Sequence, residues 1–477
     1  MVLAGAAVGG HNGTLLAAKR EVRGVAAMAW VLPRFLLMKT RDSSPSPGRT
    51  EAPASSVRPP GFLEVLREAP GFRRLFLART TSLLGDWFNL LGVLALLRET
   101  VGLEPTVVSA LLVLKLLPAF VLGPLAGVVA DRCPRRAIMI VSDLARFAFV
   151  CGLFLAVRFP EQAVGIVLVC TALQMGGAAF GEPARSASIP NLVRAEHLAP
   201  ANALNAVAWS VMFTLGAGLG GVATELFGWR WALALDAGTY LVSAALVRGV
   251  QLPPARQRTR RLDWAEVTGV RDFAAGFRYV AVRPRVATTL LIKAGWGVAG
   301  AATLILTLFG ERVYPVLGKP DLGISLLYVS RAIGTGLGPV LSRRITRDES
   351  GRMRRYLVVA FIWSSACYGL FSIVNSPGLA ALCIVAAHLG GSAIWVDSTV
   401  LLQRAVPDEF RGRVFAADLG LAMFTTASST WVYGQLAGVV ELRLLPRLLS
   451  GSLLVPALLW AVALTVLWRR GVESSDP

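Results

Sequence analysis

The sequence predicts an all-α membrane protein with twelve transmembrane helices in two six-helix bundles. Three observations predict it. The chain is 55% apolar before its 47 Gly are counted and only 16% charged, where soluble chains are about 25% charged. Twelve apolar runs follow one another, each long enough to cross a hydrocarbon core of about 30 Å. Paired motifs recur at an offset near 214 residues, the pattern of parallel repeats.

Composition also excludes classes. The net charge of +19, from 48 basic and 29 acidic residues, is high enough to raise nucleic-acid binding. A soluble nucleic-acid protein could not hide this much apolar surface, so that partner is excluded. Five Cys without CxxC spacing and three His leave no metal site and no cofactor site. All five Cys read as free thiols.

Taken in order, residues 1–74 read as a disordered extension. The run 25–37 is broken by Pro33 and Arg34, 41–60 is rich in Ser and Pro, and Met38 is the better candidate initiator. The first bundle, residues 75–249, holds spans at 75–97, 106–130, 137–157, 162–183, 201–227 and 229–249. A polar linker, 250–285, carries Arg256, Arg258, Arg260 and Arg261. Within it, residues 263–282 fit an amphipathic helix at the membrane surface. The second bundle, 286–468, holds spans at 286–310, 322–342, 356–375, 378–403, 413–440 and 445–468, followed by a tail at 469–477. Gly123-Pro124 closes span 2 and Gly338-Pro339 closes span 8, which ties the halves together.

Orientation follows from Lys and Arg in the connections. Even-numbered connections and the tail hold 25 basic residues, and odd-numbered connections hold seven: Arg98, Arg158, Arg230, Arg312, Lys319, Arg443 and Arg447. This predicts cytoplasmic termini and a multi-pass protein of the plasma membrane, with the lipid bilayer as its surroundings.

Ionisable groups inside hydrocarbon are costly and mark pathways or pairs. Asp86, Lys115, Asp143, Arg146, Asp236, Lys293 and Arg331 are the candidates for proton coupling or charge relay. Asp86, Lys115 and Arg331 lie deepest. Asp143 and Arg146, three residues apart, can pair along one helix face. Asp397 and Asp418 lie near the even-connection ends, where pairing with loop arginines is cheap. Gly216, Gly218, Gly220 and Gly221 in span 5 permit close helix packing.

The connection Gly127-Val128-Val129-Ala130-Asp131-Arg132-Cys133-Pro134-Arg135-Arg136 resembles the signature loop of the major facilitator superfamily. Gly85-Asp86-Trp87-Phe88, Pro183-Ala184-Arg185-Ser186, Asp236-Ala237-Gly238-Thr239-Tyr240 and Arg411-Gly412-Arg413-Val414 are similar to its enterobactin-exporter and macrolide-efflux branch. The resemblance covers residues 70–468. It implies the major facilitator fold and a conformational latch formed by Gly127, Asp131, Arg132, Arg135 and Arg136. It also implies a substrate cavity touched by Trp87 and Trp296. Two departures stand out. Span 4 lacks the Arg found before Gln-Gly in many proton-coupled members, and Ala217 stands where the span 5 motif has Pro.

The expected activity is therefore export of small amphipathic organic compounds, drug-like or macrolide-like, by proton antiport and alternating access in a monomer. A siderophore or lipid-like substrate exported without simple proton coupling is the alternative. A non-transporting membrane sensor or scaffold is the alternative from another class. No Gly-x-x-x-x-Gly-Lys-Ser/Thr loop occurs for direct use of ATP. No nucleophile-and-base cluster argues for an enzyme.

Overall fold

A computed structural model describes residues 61–252, 276 and 278–468. The linker helix expected at 263–282 falls largely outside these residues, as do 1–60 and 469–477. The described chain is helical, and its elements in order are α1 (Phe62–Glu68), α2 (Pro70–Val101), α3 (Pro105–Arg132), α4 (Arg135–Arg158), α5 (Pro160–Asn191) and α6 (Ala195–Arg248). Then come α7 (Pro284–Arg312), α8 (Pro320–Thr346), α9 (Ser350–Phe371), α10 (Pro377–Ala405), α11 (Asp408–Leu436) and α12 (Leu444–Leu467).

Proline starts many of these helices: Pro70, Pro105, Pro160, Pro284, Pro320 and Pro377 each stand at a first turn. Their fixed φ suits that turn, and the N–H they lack would be unsatisfied there anyway. Among the described residues, nine helices are long and apolar enough to cross a membrane. One of them, α6, runs 54 residues and covers the expected spans 5 and 6. It bends at Gly228, whose φ of 80° is open to a residue without Cβ. The helices at spans 9 and 11, α9 and α11, fall outside the nine. Arg352, Arg354 and Arg355 dilute α9, and Asp408, Glu409, Arg411, Arg413 and Asp418 dilute α11.

The helices α2–α6 pack on one another, as do α7–α12, and the two bundles meet where α6 lies on α8 and α3 on α11. The α6 glycines mediate much of this. A methyl at Gly216 would stand 2.8 Å from Trp87, and one at Gly220 would stand 3.0 Å from Leu91, both on α2. Gly218 and Gly221 turn toward Val329 and Ser325 on α8 instead. Ser325 Oγ donates to the carbonyl of Ala217 at 2.6 Å, at the position where Ala replaces Pro.

Residues 62–74 differ from expectation: they are helical, not extension. Val65, Phe72 and Leu75 are buried against Met139, Ala184 and Val247, so this segment caps the even-connection end of the first bundle. Two spans are also interrupted at depth. The α3 helix breaks at Lys115-Leu116, where Pro118 removes a donor from the next turn. The α7 helix tightens to a 3₁₀ turn over Val298–Ala301. Broken helices at membrane depth are tolerated where they line a cavity.

Gly85 on α2 faces α6 so closely that a Cβ would lie 2.7 Å from Asp236 Oδ1 and inside contact distance of Thr239. Gly85→Val should therefore separate these helices at a cost of about 1–3 kcal/mol, read as a lower melting temperature of the purified protein. An unchanged melting temperature would contradict this packing.

Candidate functional site

A cavity of about 970 Å³ lies between the bundles, at the upper end of the roughly 300–1,000 Å³ range of small-molecule sites. Aromatic residues wall it: Trp87, Trp209 and Phe213 from the first bundle, Trp296 and Trp395 from the second. Both helix interruptions border it, through Lys115 and through Ala299 and Gly300. Toward the even-numbered connections it reaches Ser186, Ile189, Asn202 and Asn205. Trp87 stacks on Phe213 with centroids 4.1 Å apart, and Trp296 meets His388 edge-on at 5.9 Å. His388 shares a 2.9 Å hydrogen bond with the Tyr368 hydroxyl.

At the odd-connection end the bundles are tied shut. Arg98, at the end of α2, pairs with Glu311 of α7 at 2.6 Å and with Asp321 of α8 at 2.9 Å. Lys319 pairs with Glu225 at 2.8 Å, and the carboxylate beside it holds the Lys319 ammonium above its ordinary value. Arg312 donates to the Leu103 carbonyl at 2.9 Å. At the even-connection end, Arg135–Asp131, Arg343–Asp348 and Arg411–Asp408 each stay within one bundle.

Behind the cavity, the first bundle holds a linked set of polar groups. Arg146 of α4 pairs with Asp86 of α2 and donates to the Tyr240 hydroxyl at 2.9 Å. Tyr240 in turn donates to Asp86 Oδ1 at 2.7 Å and accepts from Gln174 at 2.9 Å. The guanidinium also lies 4.2 Å from the centre of the Tyr240 ring. A second chain runs beside it. Lys115 donates to Asn89 Oδ1 at 3.0 Å, and Asn89 donates to Asp236 Oδ2 at 2.9 Å. Asp236 is fully buried, and its Oδ1 has no hydrogen-bond partner among the described residues.

Several expected pairings are replaced by others. The Asp143–Arg146 pair within α4 does not form. Arg146 reaches Asp86 instead, while Asp143 accepts from Ser243 at 2.6 Å and lies 3.8 Å from Arg185. Spacing along one helix ignored the neighbouring helices, which offered closer partners. Asp397 and Asp418 do not pair with loop arginines either. Both are buried; Asp418 pairs with Lys293, and Asp397 accepts from Ser342. Lys293 is thereby held inside the second bundle, behind Trp395, and is not among the residues lining the cavity. Arg331 lines the cavity, as do Trp87 and Trp296.

Of the signature loop, Arg135 donates to the Ala187 carbonyl at 2.6 Å and lies 4.0 Å from Asp131. Asp131 and Arg132 end α3, and Arg136 opens α4 beside Arg135. A Cβ at Gly127 would meet nothing within 4 Å. Sequence reasoning missed Asn89, whose amide links Lys115 to Asp236. It also counted Arg98 only as a marker of orientation. Neither carries a local signal, because both roles come from partners distant in sequence.

The sequence profile of the Major Facilitator Superfamily matches residues 75–429. The chain belongs to this family. It is 25% identical over 370 residues, 74% of this chain and 83% of the relative, to the Bacillus subtilis protein named "Uncharacterized MFS-type transporter YfiS". It is 23% identical over 354 residues, 72% of this chain and 84% of the relative, to Macrolide efflux protein A of Streptococcus pyogenes. Among solved structures, a bacterial homologue of the iron transporter ferroportin in an inward-facing state superposes with a TM-score of 0.64. That match has 14% identity and covers 82% of this chain and 98% of the other; it shows the fold. The protein is thus a multi-pass membrane transporter of this family.

The Asp86–Arg146 pair sets the strength of the polar set. The Arg146 side chain is 7% exposed and that of Asp86 is 31% exposed, so each single truncation strands a largely desolvated partner. A double-mutant cycle with Asp86→Asn and Arg146→Gln should give a coupling of about 1–3 kcal/mol in thermal unfolding. Additive single-mutant effects would contradict the pair.

Proposed function

We propose that this transporter is a secondary active exporter of small amphipathic organic compounds, working by proton antiport and alternating access. The observation that carries the reading is the aromatic cavity between the bundles, tied shut at the odd-connection end and adjoining a buried set of carboxylates. A cavity of this kind takes a flat apolar body and offers polar anchors at its rim. The efflux activity in the name of the streptococcal relative supports the outward direction. The excess of Arg and Lys in the even-numbered connections supports placing that end, and both termini, in the cytoplasm of a plasma-membrane protein.

In this mechanism Asp86 and Asp236 are the proton carriers. Each faces a cation or an amide from another helix: Arg146 for Asp86, Asn89 and through it Lys115 for Asp236. A proton arriving on Asp86 would weaken its hold on Arg146 and loosen α2 from α4. That gives protons a differential affinity for two arrangements of the first bundle, which coupling requires. Span 4 lacks an Arg at the depth of Gln174, and Arg146 on α4 supplies a guanidinium to the same Tyr240 hydroxyl that Gln174 reaches. In this reading Arg146 takes the place of the missing Arg of the family motif. In the opposite state Gly127, Asp131, Arg132, Arg135 and Arg136 would close the even-connection end as the latch. The Asp131 side chain is 56% exposed here and accessible to such a partner. A monomer suffices, because both bundles come from one chain.

A screen of labelled amphipathic compounds in a host stripped of its own exporters tests the reading. Cells making the protein should accumulate at least one compound severalfold less than cells without it. An uncoupler should abolish the difference, and so should Asp86→Asn. No compound differing between the two cell types would contradict export, and a difference indifferent to the uncoupler would contradict proton coupling.

A further inference from the structure

We infer that the central cavity selects organic anions: its substrate carries a carboxylate, phosphate or sulfonate on an aromatic body, with Arg331 as the anchor. The inference rests on the exporter reading for what happens after binding, but binding itself follows from the cavity wall. That wall contains Arg79, Lys115 and Arg331, and among its described residues no Asp or Glu. Arg79 is neutralised by Glu182 on the neighbouring helix. Lys115 is held by an amide that it shares with Asp236. Arg331 has neither arrangement. Its guanidinium donates to the Thr303 hydroxyl and sits 5.8 Å from the centre of the Phe213 ring, and no carboxylate pairs with it among the described residues.

A guanidinium in the middle of a membrane protein without a counter-charge is costly. Two other deep cations pair directly with carboxylates: Arg146 with Asp86 and Lys293 with Asp418. Asp86 and Asp418 are thus already paired with cations, and a bound oxyanion is the partner left for Arg331. Its planar fork suits two oxygens of one such group. Thr303 orients one arm of that fork. Trp209, 43% exposed, and the cavity faces of Trp296 and Trp395 supply stacking surface for an attached ring. Lys115, from the opposite bundle, adds a second positive charge to the same space. A cationic amphiphile, by contrast, would bring its charge into a cavity that already carries excess positive charge.

The test uses two probes with one aromatic body and opposite charge, 1-pyrenebutyrate and 1-pyrenebutylamine. Binding is read as energy transfer from tryptophan to pyrene in nanodiscs holding the full-length protein, after subtraction of empty nanodiscs. The butyrate should bind at least tenfold more tightly than the amine. Arg331→Gln should weaken the butyrate at least tenfold and leave the amine unchanged or tighter, while Arg331→Lys should keep most of the preference. Equal binding of the two probes by the unmodified protein would overturn the inference without any variant, as would an Arg331→Gln protein that keeps full preference. If Arg331→Gln fails to fold, Thr303→Val, which removes only the orienting hydroxyl, should weaken the butyrate severalfold, and no change would count against the anchor. Anion binding in a protein that exports nothing in the compound screen would leave this site standing and remove the exporter. Export of compounds without anion preference would do the reverse.

Discussion

A charge inside hydrocarbon must find a partner, and that constraint organises this molecule. Asp86 with Arg146, Asp418 with Lys293, and Arg98 with Glu311 and Asp321 join helices far apart in sequence. The partner of each charge lies on another helix, so every pair fixes how two helices stand. The pairs divide by role. Lys293–Asp418 staples α7 to α11 inside one bundle. Asp86–Arg146 joins α2 to α4 and is wired through Tyr240 to α5 and α6. Arg98 bridges the bundles, with two carboxylates of the second bundle facing its single guanidinium, and Lys319–Glu225 bridges them beside it.

Close backbone approach makes those pairs reachable. The α6 glycines let α2 and α8 lie against the same helix on different sides, so the first and second bundles share a packed seam. In the proposed mechanism, a proton or a substrate that alters a pair in one bundle would therefore act on a helix that touches the other. The same bundle interface widens toward the even-numbered connections into the aromatic cavity. The ion pairs of Arg98 and Lys319 between the bundles fall at the odd-connection end, and the cavity extends from there toward the other.

Much of this was legible in the sequence. Apolar runs of about 20 residues located the helices, because lipid leaves no other way to satisfy a backbone. The two less apolar helices, α9 and α11, were found with the same ruler, because their apolar runs at 356–375 and 413–440 lie beyond most of the charged residues at their starts. The deep charges Asp86, Lys115 and Arg331 were legible as functional candidates from depth alone. Their partners were not. Asp143 and Arg146 share a helix face, yet each bonds across to another helix, since a buried side chain takes the best geometry in three dimensions. The helix at 62–74 was missed because its apolar face is only a few residues long, and Val65 and Phe72 gain meaning only against Met139 and Val247. The breaks at Lys115 and at Val298 were missed for a related reason: a hydropathy ruler counts apolar residues and does not see unwound turns.

In the proposed mechanism Arg98 keeps the odd-connection end closed and the bundles rock about the cavity. Removing Arg98 leaves Glu311 and Asp321, both largely buried, without their cation, at a cost of about 3–5 kcal/mol to the closed arrangement. Electron paramagnetic resonance distances between spin labels at Glu104→Cys and Leu317→Cys, in a background with the native cysteines replaced by serine, measure that end directly. The expected result is a short, narrow distance in the parent protein and a shift to a longer population with Arg98→Gln. The same substitution should shorten the distance between labels at Cys133, restored in that background, and Arg347→Cys across the opposite end. Distances that Arg98→Gln leaves unchanged at both ends would contradict the mechanism.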